Sequence, residues 1–140
     1  MTPYLDVRPE AAAALFSRRL DGAIVMLNLL RFRAVADYSA DPSLCPATPV
    51  SGREAYERYI EHTQPLLEAS GGALLFVGEG GAFLIGPRED RWDLMMLVRQ
   101  RSLADFIAFA SDPVYLAGLG HRTAAVEDSR LLPLVARRAP

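Results

Sequence analysis

The segment SDPVYLAGLGHR, residues 111–122, brings a tyrosine, a histidine and an arginine close together. Helical spacing places Tyr115 and Arg122 on one stripe and directs His121 about a third of a turn away from Arg122. A guanidinium beside a phenol hydroxyl suits a carboxylate or enolate ligand, because its hydrogen bonds are charge-assisted. His121 is a candidate acid–base group near neutral pH, and an ordinary surface histidine is the alternative.

A second group of polar aromatic side chains falls in the segment SGREAYERYIEHTQ. Tyr56, Tyr59 and His62 lie at helical spacings that place them on neighbouring surfaces of one helix. Tyr59 and His62 could supply acid–base groups, and Tyr56 could line a binding pocket. The alternative is a half-buried aromatic face whose polar tips are solvated.

Two further candidates lie in predicted strands. Asn28 is the polar residue inside the apolar stretch VMLNLL, and a buried amide needs hydrogen-bond partners from a ligand or from neighbouring backbone. Trp92 is either core or the wall of a pocket. No metal is predicted, because the chain has two histidines on different helices and one cysteine, Cys45. No cofactor is predicted either.

The segments that must position these residues alternate between strand and helix patterns. Strands are predicted over residues 22–33, 91–101 and 130–135, and residues 73–86 predict two short strands that meet at Gly80-Gly81. Residues 22–33 are apolar at both alternations, which predicts a strand buried on both faces. Pro133 favours an edge position for the last strand.

The helices are predicted from their end signals. Residues 8–20 predict a short helix, and the capping box from Ser51 to Glu54 begins a helix that ends at Gly71-Gly72. A similar box at Ser102 begins another helix. Asp112-Pro113 predicts a fresh N-cap and a helix that continues to about residue 127. The long segment 34–50, with three prolines, is predicted to be a loop that acts as a lid or contacts a partner.

This order predicts a single α+β domain over residues 1–140, with residues 1–21 as an N-terminal helical extension. The arrangement is the ferredoxin-like antiparallel sheet with helices on one face. The other face is apolar and is not covered by any predicted element. A homodimer that packs through this open sheet face is the simplest solution.

Composition excludes several classes of function. The net charge is -2 and the charges are spread along the chain, so no nucleic-acid partner is expected. No membrane segment and no secretory signal are predicted, which makes the cytoplasm the expected location. All fifteen basic residues are arginine, so a lysine Schiff base and a P-loop lysine are excluded.

The chain resembles the DUF1330 family of the dimeric α+β barrel superfamily over residues 22–135. The resemblance rests on the segments VMLNLLRFR, SGREAYERYI, GGALLFVGEG and WDLMMLV, and on the SDPVY box followed by an arginine. It implies a homodimer in which two sheets pack face to face, with a pocket between sheet and helices in each subunit. Superfamily relatives include cofactor-free monooxygenases, isomerases and haem-binding peroxidases, and fold kinship does not choose among them.

Two hypotheses of different classes follow. In the first, the homodimer binds a small, partly apolar molecule and isomerises or oxidises it without a cofactor. Tyr59, His62 and His121 would then be the acid–base groups, and Asn28, Tyr56, Trp92, Tyr115 and Arg122 would bind the ligand. In the second, the protein is a non-catalytic ligand-binding or dimeric interaction protein. Haem binding through Asn28, Trp92 and His121 ranks below both.

Overall fold

The computed structural model describes residues 2–137. Its elements follow the predicted alternation of strands and helices. In chain order they are α1 (Pro9–Ser17), β1 (Ile24–Phe32), a 3-10 turn (Pro42–Leu44), α2 (Gly52–Ala69), β2 (Ala73–Gly81), β3 (Trp92–Gln100), α3 (Leu103–Ser111), α4 (Pro113–Ala125) and β4 (Val126–Leu134). The strands form one antiparallel sheet in the order β2-β3-β1-β4. This is the ferredoxin-like order, so the predicted fold class is confirmed.

One face of the sheet carries the hydrophobic core. The even-numbered side chains Ile24, Met26, Leu30 and Phe32 of β1 are buried, as the strand alternation predicts. Leu94 and Met96 of β3 extend this face, and α2 and α4 pack over it with the buried residues Ala55, Tyr56, Ala124 and Ala125. The core therefore lies between the sheet and the helices.

The opposite face, here called the open face, is covered by no element of the described residues. The strand register places one apolar set on it: Val25, Leu27, Leu29, Phe76, Met95, Leu97, Leu132 and Leu134. These side chains are half-buried or exposed, and Phe76 and Leu132 each expose more than half of their surface. Within a single chain, β1 is therefore buried on one face and not, as the sequence predicted, on both.

The helix ends follow the sequence signals. The Ser51 hydroxyl accepts a hydrogen bond from the Glu54 amide at 3.1 Å, and the Ser102 hydroxyl accepts one from the Asp105 amide at 3.0 Å. Asp112 caps α4 through the Val114 amide. Gly71, with φ of 88°, ends α2 in the left-handed conformation. These local signals were sufficient because each satisfies backbone groups within its own turn.

Three predicted boundaries were wrong. Residues 73–86 do not form two strands: β2 is continuous through Gly80 and Gly81, and Gly81 pairs with Trp92. The turn lies later, in residues 82–91. β4 begins at Val126, four residues before the predicted start, because α4 ends at Ala125. The first helix is shorter than residues 8–20, and none of its described side chains is buried.

Gly52, the first residue of α2, should be sensitive to any added side chain. A Cβ there would overlap the Arg33 carbonyl oxygen and lie 2.6 Å from that of Ala125, so backbone rather than a flexible side chain would have to move. We expect Gly52→Ala to lower the free energy of unfolding by about 1–3 kcal/mol in denaturant titrations. Gly81→Ala is the control, because its Cβ would meet nothing within 4 Å. Equal stability of the two variants would contradict this packing.

Candidate functional site

Three of the predicted site residues form one tyrosine cluster: Tyr56 and Tyr59 of α2 and Tyr115 of α4. The Tyr59 and Tyr115 hydroxyls are 2.9 Å apart, and the rings of Tyr56 and Tyr59 are 5.2 Å apart between centroids. Helical spacing puts Tyr56 and Tyr59 one turn apart, and the packing of α2 on α4 brings in Tyr115. The structure thus unites residues that the sequence placed on two separate helices.

Burial determines the protonation of this cluster. Desolvation raises the pKa of Tyr56 and that of Tyr59 well above the usual value of 10, and the neighbouring phenols raise the pKa of Tyr59 further. Both side chains are therefore neutral phenols at physiological pH. They can donate hydrogen bonds but cannot act as bases.

Arg122 connects the tyrosine cluster to the N-terminal segment. Its guanidinium donates hydrogen bonds to the Leu5 carbonyl oxygen at 2.8 Å and to the Ser129 hydroxyl at 3.3 Å. Its positive charge also opposes the rise in the pKa of Tyr56. Its side chain is only partly buried, and the oxygens that it binds belong to the protein.

The two histidines lie on α2 and α4 and make different contacts. His62 Nε2 lies 2.7 Å from the Val114 carbonyl oxygen, and its ring packs against Gly118, where a Cβ would overlap the imidazole. His121 Nδ1 lies 2.8 Å from the Tyr38 hydroxyl, with the two rings edge to face. Tyr38 belongs to the 34–50 loop, so His121 links this loop to α4.

The surroundings of His121 favour its neutral form. Desolvation lowers the pKa of His121, the charges of Arg58 and His62 lower it further, and Asp41 opposes them. Burial raises the pKa of Tyr38, which therefore keeps its proton. The Tyr38 hydroxyl can donate to Nδ1 or accept from it. In the second case Nε2 of His121 is free to act as a base.

Asn28 and Trp92 lie in the sheet and make separate contacts. The Asn28 amide donates to the Met26 carbonyl oxygen at 3.2 Å, within its own strand. The Trp92 ring lies 4.7 Å from the Arg31 guanidinium and 5.1 Å from that of Arg130. The hydrogen bonds and aromatic contacts of the described residues link neither side chain to the tyrosine cluster.

Two clefts open beside these groups. The first, here called the α2 cleft, lies between α2 and the sheet and has a volume of about 230 Å³; its walls are Phe32, Arg53, Tyr56, Glu57, Ile60, Val77, Glu79 and Leu94. The second, here called the loop cleft, has a volume of about 320 Å³ and lies within residues 35–50, with Tyr38 and Cys45 in its wall. Tyr56 in the wall of the α2 cleft belongs to the tyrosine cluster. Tyr38 in the wall of the loop cleft contacts His121.

The charged pair at the α2 cleft was not among the predicted site residues. Arg53 donates to Glu79 at 2.9 Å, and its guanidinium lies 5.3 Å from the Phe32 ring centroid. The sequence indicates only that each of the two residues is charged and exposed. It does not predict their pairing, because Arg53 lies in a helix and Glu79 in a strand 26 residues away. Tyr38 was missed for the same reason, since its partner His121 is 83 residues away.

Neither metal nor membrane features stand out in the described residues. Residues 2–137 contain no group of three or more His, Cys, Asp or Glu side chains arranged to hold a metal ion. No helix in that range is long and apolar enough to cross a membrane.

Comparison with known proteins gives one strong similarity. Over 99% of its length the chain is 35% identical to RPA0582 of Rhodopseudomonas palustris, a protein of unknown function, and covers all of that protein with a TM-score of 0.86. A methylated form of RPA0582 gives 36% identity, 99% and 98% coverage, and the same TM-score. Neither a protein-family model nor a curated protein matches the chain, so the resemblance to DUF1330 stays a prediction.

More distant structures share only the fold. Hydroxynitrile lyase from Passiflora edulis is 16% identical over 84% of this chain and 97% of its own, with a TM-score of 0.51. A dimeric ferredoxin-like protein of unknown function from Thermobifida fusca is 16% identical over 82% of this chain and 92% of its own, with a TM-score of 0.47.

The lowered pKa of His121 should make stability depend on pH. The unfolded chain binds a proton at this imidazole near pH 6.5, and the folded protein does so only at lower pH. The unfolded state therefore binds more protons in this window, and the free energy of unfolding should fall as the pH drops below 6.5. His121→Asn, which keeps an acceptor for Tyr38, should reduce this dependence.

An NMR titration checks the cause of the shift. Arg58→Gln should raise the pKa of His121, because one of the charges that lowers it is removed. Arg88→Gln, in the β2–β3 loop, is the control and should leave the titration unchanged. A His121 pKa at or above 6.5 in the unsubstituted protein would contradict the described surroundings.

Proposed function

The chain belongs to the same family as RPA0582 of Rhodopseudomonas palustris, and we propose that it is a homodimer in which each subunit binds a small, partly apolar carboxylate. The observation that carries the ligand proposal is the α2 cleft, an apolar recess with a paired arginine at its mouth. The dimer proposal is supported by the apolar open face of the sheet.

The open face supports a partner subunit because its centre is apolar on all four strands, with charged residues such as Arg99 and Arg130 toward its ends. Leu27 at its centre pairs with Leu97 on one side and with Leu132 on the other, so three leucines lie side by side. A contiguous patch of this kind is rare on a monomer and marks an interaction surface. A second copy of the same face is self-complementary, as a two-fold interface requires.

The exposed area of the chain supports the same proposal. One chain exposes 9005 Å². A monomeric globular protein of its mass, 15.3 kDa, is expected to expose about 7,100 Å². The difference, about 1,900 Å², exceeds the roughly 800 Å² that each partner buries in an interface of standard size. This excess supports a chain that buries part of its surface against a partner.

The position and lining of the α2 cleft support binding of a small organic molecule. The cleft lies between the sheet and a helix, where the resemblance to the α+β barrel superfamily implies a pocket. Phe32, Ile60 and Leu94 give it apolar walls. The buried Tyr56 separates it from the rest of the tyrosine cluster. Small-molecule sites characteristically combine such walls with a few polar groups.

The ion pair at the mouth of the cleft favours a carboxylate as the polar group of the ligand. Arg53 is already paired with a carboxylate, that of Glu79, at 2.9 Å. Both side chains are largely exposed, with 45% and 78% of their surfaces accessible. Exposed pairs contribute only about 0–1 kcal/mol, so a ligand carboxylate can replace Glu79 at small cost. Arg53 would then hold the ligand by charge-assisted hydrogen bonds.

A second function, proton transfer on a bound molecule, is favoured by the Tyr38–His121 pair. A neutral imidazole oriented by a phenol is a suitable general base near neutral pH. Tyr38 is in the wall of the loop cleft and His121 is not, so a molecule bound there would give its proton to the Tyr38 oxygen while Tyr38 passes its own proton to His121 Nδ1. Cofactor-free isomerisation or oxidation would use such a step.

The dimer is tested with a charge at the centre of the open face. We expect the unsubstituted protein to have the mass of a dimer by light scattering at micromolar concentration. Leu27→Asp should give a monomer, because each interface would bury two unpaired carboxylates. Leu132→Asp, on the edge strand, is a second variant in case the first does not fold, and circular dichroism checks folding. A folded Leu27→Asp variant that remains dimeric would contradict the proposal.

Ligand binding is tested with cinnamate and its uncharged analogue cinnamamide. By calorimetry, cinnamate should bind more tightly than the amide, because only the carboxylate pairs with Arg53. Arg53→Gln should weaken cinnamate binding by up to about 5-fold, the loss expected for an exposed ion pair. Glu79→Gln should strengthen it, because the competing carboxylate is removed.

The control for this test is Arg88→Gln, which removes an arginine from the β2–β3 loop. It should leave cinnamate affinity unchanged. Equal affinity for cinnamate and cinnamamide, or the same effect of Arg53→Gln and Arg88→Gln, would overturn the carboxylate proposal.

A further inference from the structure

The segment that joins β2 to β3 contains three apolar residues, 83–85, that no other part of the described chain covers. Leu84 is 100% exposed and Ile85 is 92% exposed, and Phe83 before them is 42% exposed. These three side chains are here called the hairpin tip. Single exposed aliphatic residues are common on proteins, but adjacent ones that are almost fully exposed form a patch that favours burial.

The base of the same loop is held in place. Asp90 Oδ1 accepts a hydrogen bond from Arg31 Nη2 at 2.8 Å, and the Arg91 carbonyl oxygen accepts one from Arg31 Nε at 2.9 Å. The Asp90 amide donates to the Pro87 carbonyl oxygen, which closes a turn on the β3 side. The loop is therefore anchored at its base and leaves its tip extended.

These anchors direct the loop toward the open face. Arg31 occupies an odd-numbered position of β1 and faces Asp128 of β4, so its side chain belongs to the open side of the sheet. Its guanidinium contacts the three consecutive residues Asp90, Arg91 and Trp92. The base of the loop therefore lies at the rim of the open face, where the surface proposed to bind a second subunit ends.

We propose that the hairpin tip of each subunit packs against the other subunit and extends the dimer interface beyond the sheets. This inference rests on the proposed homodimer. It is supported by the position of the loop base at the open face and by the surplus of about 1,900 Å² of exposed area, which is more than twice what one partner buries in a standard interface. Two-fold symmetry makes the contact reciprocal, so each dimer has two such arms.

A lipid surface is the competing occupant, and the charges disfavour it. Binding of an exposed apolar loop to an anionic membrane is aided by neighbouring basic residues. Here the next charged residues are Arg88, Glu89 and Asp90, and the whole chain has a net charge of -2. The tip has no basic cluster that would attract it to lipid headgroups.

The test replaces the tip without touching the sheet. The double variant Leu84→Ser/Ile85→Ser should raise the dimer dissociation constant by at least about 100-fold in sedimentation equilibrium, since four aliphatic side chains per dimer lose burial. The matched control is Val114→Ser/Leu116→Ser, which changes two exposed aliphatic side chains on α4. The control should leave the dissociation constant unchanged.

The outcomes separate this proposal from the proposed dimer. If Leu27→Asp gives a monomer but the tip variant dimerises as tightly as the unsubstituted protein, the dimer stands and the role of the tip is overturned. If the unsubstituted protein is a monomer, the homodimer itself fails and the tip proposal fails with it. The third outcome concerns lipid. The unsubstituted chain would co-sediment with phosphatidylserine vesicles, and the tip variant would not, although its dimerisation is unchanged. The tip would then bind lipid, and the proposal is overturned.

Discussion

The constraint on which the molecule depends is a four-stranded sheet with helices on only one of its faces. β1 and β3 are apolar at both alternations, so the sheet has two faces that favour burial. α2 and α4 cover one of them and form the core with it. The other face, centred on Leu27, has no cover within the described residues, and the hydrophobic effect favours a second surface against it. The proposed dimer rests on this imbalance, and the large exposed area of one chain agrees with it.

Close packing within the helical layer explains why many of its polar side chains form hydrogen bonds with other groups of the protein. Gly52 and Gly118 allow α2 to approach the backbone of its neighbours and α4 to approach the His62 ring. At that separation the polar tips of α2 meet those of α4, and Tyr59 binds Tyr115. Their burial keeps the tyrosines protonated. The exposed pair of Arg53 with Glu79 and the pair of the buried Tyr38 with His121 lie beside the two clefts.

Local physics made much of the fold predictable from the sequence. Capping residues such as Ser51 and Asp112 act within one turn, and the alternation along β1 needs no knowledge of distant segments. The error over residues 73–86 has an equally local cause, because a Gly-Gly pair is typical of a turn while the pairing of Gly81 with Trp92 is set by the neighbouring strand. The α2 cleft was beyond prediction because its walls come from one helix and three strands, and the loop cleft depends on how residues 35–50 fold. The tyrosines were predicted as separate candidates, but their contact required the packing of two helices.

The most direct test of the central claim is an isotope-filtered NOE experiment on a mixture of labelled and unlabelled protein, which detects only contacts between subunits. The account predicts intersubunit NOEs among the methyl groups of Leu27, Leu29 and Leu97 on the open face. Intersubunit NOEs confined to α4 methyl groups such as that of Leu116, or no open-face NOEs at concentrations where the chain is dimeric by mass, would contradict it.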